Sequence, residues 1–126
     1  MNVLKININQ HISTTIYDPS PHRFWPEEIP VSKRRIPIVY SCENCMDQIS
    51  FKPENFEKHY KSVFSNLKNS DRSEFKEYTT KNNLEYSFMD FYCPKCGQPT
   101  TILFEGNPSG YWGVLEFTVK DILILK

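Results

Sequence analysis

The sequence has little glycine and no long apolar run. Four of its 126 residues are glycine, and two of these lie in the segments CPKCG and NPSG, so a glycine-rich loop that cradles phosphate groups is hard to build. The longest wholly aliphatic run is ILIL at 122–125, far shorter than the ~20 residues of a membrane span. The start, MNVLKININQ, lacks the basic leader and apolar core of a signal or transit peptide. We therefore expect a cytoplasmic protein without a membrane segment.

The chain also lacks an excess of charge of either sign. Fifteen basic residues balance fifteen acidic residues, so no overall field attracts nucleic acid or an anionic membrane. The only dense basic cluster is SKRR at 32–35. A solvated loop accounts for this cluster, and the alternative is a set of phosphate contacts made by Lys33, Arg34 and Arg35.

The residue patterns of an enzyme are missing too. The sequence shows no nucleophile paired with a base, no paired carboxylates and no metal site with an open position. We expect a non-enzymatic protein that has no small-molecule substrate.

Alternating apolar residues predict the strands of a sheet. In VLKININ at 3–9, Leu4, Ile6 and Ile8 share one face, which is typical of a half-buried strand. Further strands are predicted in IPIVYSC, in TTILFEG and in the segment that follows the NPSG turn. Five of the nine prolines fall within residues 18–37, and with the aromatic residues there they predict an extended loop packed on the domain.

Two helices are predicted within residues 53–83. The first spans 53–69, and its apolar residues recur at helical spacing and predict one buried stripe. His59 falls beside this stripe and is expected to be solvated. A second helix is predicted from Asp71, whose spacing to Glu74 resembles a capping box, to about Asn82. The members of the stripe are Phe56, Tyr60, Val63, Phe64 and Leu67.

The four cysteines form two C-x-x-C pairs, Cys42 with Cys45 and Cys93 with Cys96. Two tight turns of this kind provide four sulfurs, which is the donor set of a closed tetrahedral zinc site. In CPKCG, the proline fixes φ for such a turn and Gly97 supplies a positive φ. A redox pair would leave the second pair unexplained, and a disulfide framework conflicts with the expected cytoplasmic location. Iron in the same four-sulfur site stays open.

The two cysteine pairs resemble the knuckles of a zinc ribbon, and CPKCG is similar to the usual second knuckle of that fold. The resemblance implies that Cys42, Cys45, Cys93 and Cys96 are the ligands of one structural Zn²⁺. Met46 stands where a glycine usually follows the first pair, so this knuckle must turn differently or tolerate strain. The intervening residues 46–92 exceed what a compact ribbon needs.

These features together predict a single α+β domain over residues 1–126. We expect a small antiparallel sheet with a zinc-ribbon-like four-cysteine site and a two-helix insertion between the knuckles. For its function we expect protein–protein binding, in the manner of an immunity protein that neutralises a toxin. A nucleic-acid-binding or transcription- or translation-linked role is the alternative. The candidate partner contacts are the aromatic residues Trp25, Tyr111 and Trp112 in loop-like sequence.

Overall fold

The computed structural model describes residues 2–8, 15–18, 38–51, 53–108 and 115–126 of the chain. The proline-rich loop beyond Asp18 lies outside these residues. So do the predicted partner contacts and the basic cluster, namely Trp25, Tyr111, Trp112, Lys33, Arg34 and Arg35.

Strands outnumber helices in the described part of the chain. No helix there combines the length and the apolar character needed to cross a membrane. The elements in chain order are β1 (Val3–Ile6), β2 (Thr15–Asp18), β3 (Ile38–Ser41), β4 (Gln48–Phe51), α1 (Pro53–His59), α2 (Asn69–Lys81), β5 (Ser87–Tyr92), β6 (Pro99–Pro108) and β7 (Leu115–Leu125).

The main sheet has five antiparallel strands. Its order is β1–β7–β6–β5, and β2 pairs with the first part of β7 while β1 pairs with the last part. The strands β3 and β4 form a separate two-stranded hairpin. The predicted α+β class, with a small antiparallel sheet and a two-helix insertion, is confirmed. The sequence prediction had assigned no strand to β2 or β4.

Both faces of the main sheet are covered, and neighbouring residues of a strand belong to different clusters. Met89 and Ile102 lie in the cluster that contains Phe56 of α1. Phe88 and Leu103 lie in the cluster that contains Phe75 of α2. Because side chains alternate across a strand, the two helices lie on opposite faces of the sheet. An irregularity in the register of β6 and β7 at Leu103/Phe104 shifts this alternation along β7.

The strand predicted at the start of the chain is present, but its buried face is only partly as expected. Ile6 and Ile8 are packed against the core. Leu4, however, is 46% exposed, whereas Val3 is buried on the α2 side. Because β1 is an edge strand, alternation alone does not determine how far the hydrophobic cluster on each face of the sheet extends over its side chains.

The β3–β4 hairpin packs on the main sheet through aromatic rings. Tyr40 of β3 and Phe51 of β4 both contact Phe91 of β5, with ring centroids 5.8 and 5.1 Å apart. Phe51 also meets Phe56 edge-on at 6.4 Å. This packing brings the turn of the small hairpin next to the turn between β5 and β6.

The first helix is shorter than predicted. It ends at His59, and Lys61 has a φ of 55°, which is a left-handed conformation that cannot continue the helix. Phe56 and Leu67 are buried, but Val63 is 92% exposed and Phe64 is 52% exposed. The prediction of a single buried stripe over 53–69 was therefore wrong.

A crossing loop, residues 60–68, replaces the second half of the predicted helix and passes along the edge strand β5. Ser65 donates its hydroxyl hydrogen to the buried carboxylate of Asp90. The Asn66 backbone N–H donates to the same carboxylate at 2.7 Å, and the Asn66 side chain donates to the Asp90 carbonyl at 2.8 Å. These hydrogen bonds compete with helical ones and cover part of an otherwise unpaired strand edge.

His59 was predicted to be solvated, and this prediction was wrong. Its exposure is only 6%, and its ring lies 5.7 Å from that of Phe64. The chain reverses immediately after His59, so the crossing loop covers a side chain that would face solvent on a longer helix.

The second helix begins two residues before the predicted Asp71. Its N-cap residue is Lys68, which makes no side-chain capping hydrogen bond, so the predicted capping box is absent. Asp71 instead accepts a hydrogen bond from the Tyr92 hydroxyl at 2.7 Å. The helix ends at Lys81, and the C-cap is Asn82, close to the predicted end.

Candidate metal centre

Each cysteine pair lies in the tight turn of a β-hairpin. The first turn, residues 42–47, joins β3 to β4, and the second, residues 93–98, joins β5 to β6. In the first turn the Cys42 N–H donates to the Asp47 carbonyl at 2.9 Å, and in the second the Cys93 N–H donates to the Gln98 carbonyl at 3.0 Å. We refer to these two turns as the first and second knuckle.

The two knuckles also share their closing hydrogen bond and backbone conformation. The Met46 N–H donates to the Cys42 carbonyl at 2.9 Å, and the Gly97 N–H donates to the Cys93 carbonyl at 2.8 Å. The φ angles are 64° at Met46 and 78° at Gly97. The first knuckle thus adopts the same turn as the second and tolerates the strain of a side chain at this position.

The knuckles bring the four sulfur atoms together. All four Sγ atoms lie within 4.8 Å of one another. Across the knuckles, Cys42 Sγ lies 3.6 Å from Cys96 Sγ, and Cys45 Sγ lies 3.7 Å from Cys93 Sγ. A tetrahedral ion with metal–sulfur distances of about 2.3 Å would separate its sulfurs by about 3.8 Å. The arrangement therefore has the size and donor set of a four-cysteine metal site, compatible with a zinc ribbon.

The four thiols differ in exposure and acidity. Cys42 and Cys93 are buried, whereas Cys96 is exposed. Burial raises the pKa of the Cys42 thiol to about 12. Hydrogen bonds to the sulfur, chiefly from the Asn44 side chain and then from the Gln98 backbone, lower the pKa of Cys96 to about 6.

These environments fit a bound cation. A buried thiolate is costly without a compensating charge, and an ion of charge +2 among the sulfurs would provide it. Hydrogen-bond donors that stabilise a thiolate are present in the Asn44 side chain and in the backbone of Gln98. The cysteines were predicted from the sequence, but the contact of the Asn44 side chain with the Cys96 sulfur was not, because it forms only when the two knuckles meet.

No protein-family model, no curated protein and no solved structure matches this chain. What the fold and the site define is an α+β protein in which two hairpin turns bring four cysteines together in an arrangement that could hold a metal ion.

Proposed function

We propose that Cys42, Cys45, Cys93 and Cys96 bind one structural Zn²⁺, and that the protein acts without catalysis by binding another protein. The observation that carries the metal assignment is the set of four sulfur donors within 4.8 Å of one another, with two pairs across the knuckles at 3.6 and 3.7 Å. Such sets are typical of structural zinc sites. Iron can occupy the same donor set, and metal analysis distinguishes the two ions.

In this proposal the zinc ion joins two hairpins that are distant in the sequence. The closest sulfur pairs across the knuckles are separated by 54 and 48 residues. Closing a chain segment of this length costs conformational entropy, and the free energy of metal binding offsets that cost when the ion binds only the folded state.

A closed four-cysteine site supports a non-catalytic role. Four thiolates complete the tetrahedron and leave no position for an activated water molecule. Ser65 also differs from an activated nucleophile, because its hydroxyl donates to the Asp90 carboxylate rather than to a basic histidine.

Exposed apolar residues support the binding role. Val63 and Phe64 are adjacent and largely exposed, although the crossing loop that carries them is held by hydrogen bonds to Ser87 and Asp90. Apolar side chains presented on a fixed backbone are favourable for association, because little entropy is lost on binding. We propose more specifically that the partner is a toxin, which the protein neutralises by binding. This specification rests on the small size and the balanced charge of the chain.

Capture from the native cell tests the proposal. The full chain, purified with its native metal and carrying an affinity tag, is used to isolate bound material with and without nuclease treatment. We expect one protein at near-stoichiometric yield that nuclease treatment does not release. The proposal of protein binding is overturned if the retained material is nucleic acid and nuclease treatment releases it. In that case retention should weaken steeply as the salt concentration rises, and it should disappear when Lys33, Arg34 and Arg35 are replaced by alanine.

A further inference from the structure

A surface groove lies where the crossing loop meets the hairpin of β5 and β6. Its volume is about 520 Å³, within the usual range of ligand sites. Tyr60 lies against Gly106, where a Cβ atom would come within 2.8 Å of the tyrosine ring, and its hydroxyl donates to the Gly106 carbonyl at 3.2 Å. The groove therefore owes part of its shape to a glycine that no other residue could replace without displacing Tyr60.

Arg72 of α2 lines this groove. Its guanidinium carbon lies 3.8 Å from the centre of the Phe88 ring, which is a cation–π contact and uses none of the five N–H donors in an ion pair with the described residues. Within the described ranges Arg72 has no ion-pair partner. Partial burial lowers the pKa of Arg72, while the charge of the buried Asp90 opposes that shift.

The groove is also lined by a second cation and by two carboxylates. Lys61 lies over the Tyr60 ring at 5.2 Å and, like Arg72, pairs with no carboxylate of the described residues. Glu105 is paired with Lys120 at 3.6 Å, and Glu85 is exposed at the rim. The groove is therefore not uniformly basic, which favours a single carboxylate over a polyanion.

Apolar surface continues out of the groove. Val63 belongs to the lining and is 92% exposed, and Phe64 follows it. An isolated small carboxylate would leave this surface in water. A protein segment that carries apolar residues beside a carboxylate would cover it.

We propose that this groove binds an acidic side chain of the protein partner, with Arg72 as the main contact of the carboxylate and Val63 and Phe64 packing on the flanking apolar residues. The inference rests on the proposed protein-binding function and identifies where, and by which chemistry, the partner is held. Two cations that pair with no carboxylate of the described residues lie beside exposed apolar side chains, and such a segment would complement them.

A matched pair of synthetic peptides tests the groove directly. The probes are acetyl-Ala-Phe-Glu-Leu-Ala-amide and the same peptide with glutamine in place of glutamate, each titrated to millimolar concentration into the metal-loaded full chain and followed by ¹H–¹⁵N NMR. We expect the glutamate peptide to shift the Arg72 side-chain signal and the backbone signals of Lys61 and Val63. The glutamine peptide should bind about tenfold more weakly, because it lacks the charge-assisted hydrogen bonds.

Variants assign the effect to the guanidinium. Arg72→Gln should bind the two peptides with equal affinity, and Arg72→Lys should retain part of the preference, since it keeps the charge without the planar donors. Lys76→Gln, which removes an exposed charge from the same helix, should behave as the unmodified protein. A retained amide spectrum shows that each variant is folded, and if Arg72→Gln does not fold, Lys61→Gln combined with Arg72→Lys is used. Equal binding of the two peptides, shifts away from the groove, or no shifts at all would overturn the inference.

Capture from the native cell separates this inference from the function on which it rests. If the unmodified chain and Arg72→Gln retain the same protein equally well, the groove is not the docking site, although the protein-binding function stands. If the unmodified chain retains no protein, the proposed function fails, and the peptide titration still decides whether the groove binds a carboxylate.

Discussion

At the scale of single residues, Met46 and Gly97 occupy equivalent positions with different chemistry. Both follow the second cysteine of a knuckle, and both have positive φ angles. The side chain of Met46 is 69% exposed, so packing does not explain its presence. A Cβ atom on Gly97 would meet nothing within 4 Å, which leaves backbone strain as the cost of a side chain there.

Substitutions at these two positions measure that strain. We expect Gly97→Ala to lower the free energy of unfolding by about 1–2 kcal/mol, the cost of a left-handed conformation in a residue with a Cβ. Met46→Gly should raise it by up to about 1 kcal/mol, because relief of strain is partly offset by the greater entropy of glycine in the unfolded chain. Denaturant unfolding of the metal-loaded proteins provides the values, and the reverse order of the two variants would refute the equivalence of the knuckles.

His59 makes stability depend on pH. Burial lowers the pKa of His59 below its ordinary value of 6.5, although the charge of Asp90 opposes the shift. The unfolded chain therefore binds a proton more readily than the folded chain, so this residue's contribution to stability is full above about pH 6.5 and is lost as the pH falls toward the folded-state pKa.

We expect the stability difference between the unmodified protein and His59→Gln to shrink as the pH is lowered from 7.5 to below 6.5. Free energies of unfolding measured over this range at saturating metal concentration test the prediction. Using the difference between the two proteins cancels the loss of metal from the cysteines at acidic pH, which both share. A difference that is constant with pH would show that His59 titrates normally.

At the scale of elements, hydrophobic periodicity identified the helices but misplaced the end of the first. The apolar spacing from Phe56 to Leu67 continues through the crossing loop, although the helix stops at His59. Hydrogen bonds within and around the crossing loop end the helix. The hydroxyls of Ser62 and Ser65 accept from backbone N–H groups two residues later, and the carboxylate of Asp90 accepts from Ser65 and Asn66. Asp90 is 24 residues from Asn66, and no local pattern reveals such a partner.

Two phenylalanine variants test the position of the helix end. Phe56 is fully buried against Phe104 and Phe117, so Phe56→Ala should cost about 3–5 kcal/mol of unfolding free energy. Phe64→Ala should cost about 0.5 kcal/mol or less, as for an exposed site. Thermal or denaturant unfolding distinguishes these values. Similar large losses for both variants would mean that Phe64 is buried and that the continuous stripe is real.

At the scale of the whole molecule, the spacing of the cysteines predicted the central feature of the fold. Two C-x-x-C pairs indicated two tight turns that converge, and the α+β class and the helices between the turns followed from alternation and helical spacing. The strands β2 and β4 were missed, although β1 and β3 are equally short. The two that were predicted lie in longer alternating or apolar segments, VLKININ and IPIVYSC, whereas TIYD and QISF do not. The groove beside Arg72 could not be predicted, because it is assembled from the crossing loop, α2 and the β5–β6 hairpin.

The proposed zinc ion should stabilise the whole molecule. With free zinc at about 1,000 times its Kd, removal of the ion should lower the free energy of unfolding by about 4 kcal/mol. Chelation followed by denaturant unfolding, with re-addition of zinc as the reversal, measures this difference. The matched control replaces all four cysteines with serine, and its stability should not respond to zinc or chelator. If the chelated protein is as stable as the untreated one, the metal site does not stabilise the folded state.

Native mass spectrometry of the full chain, purified without added metal, tests the central claim most directly. We predict one dominant species whose mass equals that of the chain with one zinc ion, and whose metal is lost when the four cysteines are replaced by serine. A metal-free mass with four reduced thiols, a mass lowered by two disulfides, or a mass that corresponds to iron would contradict the account.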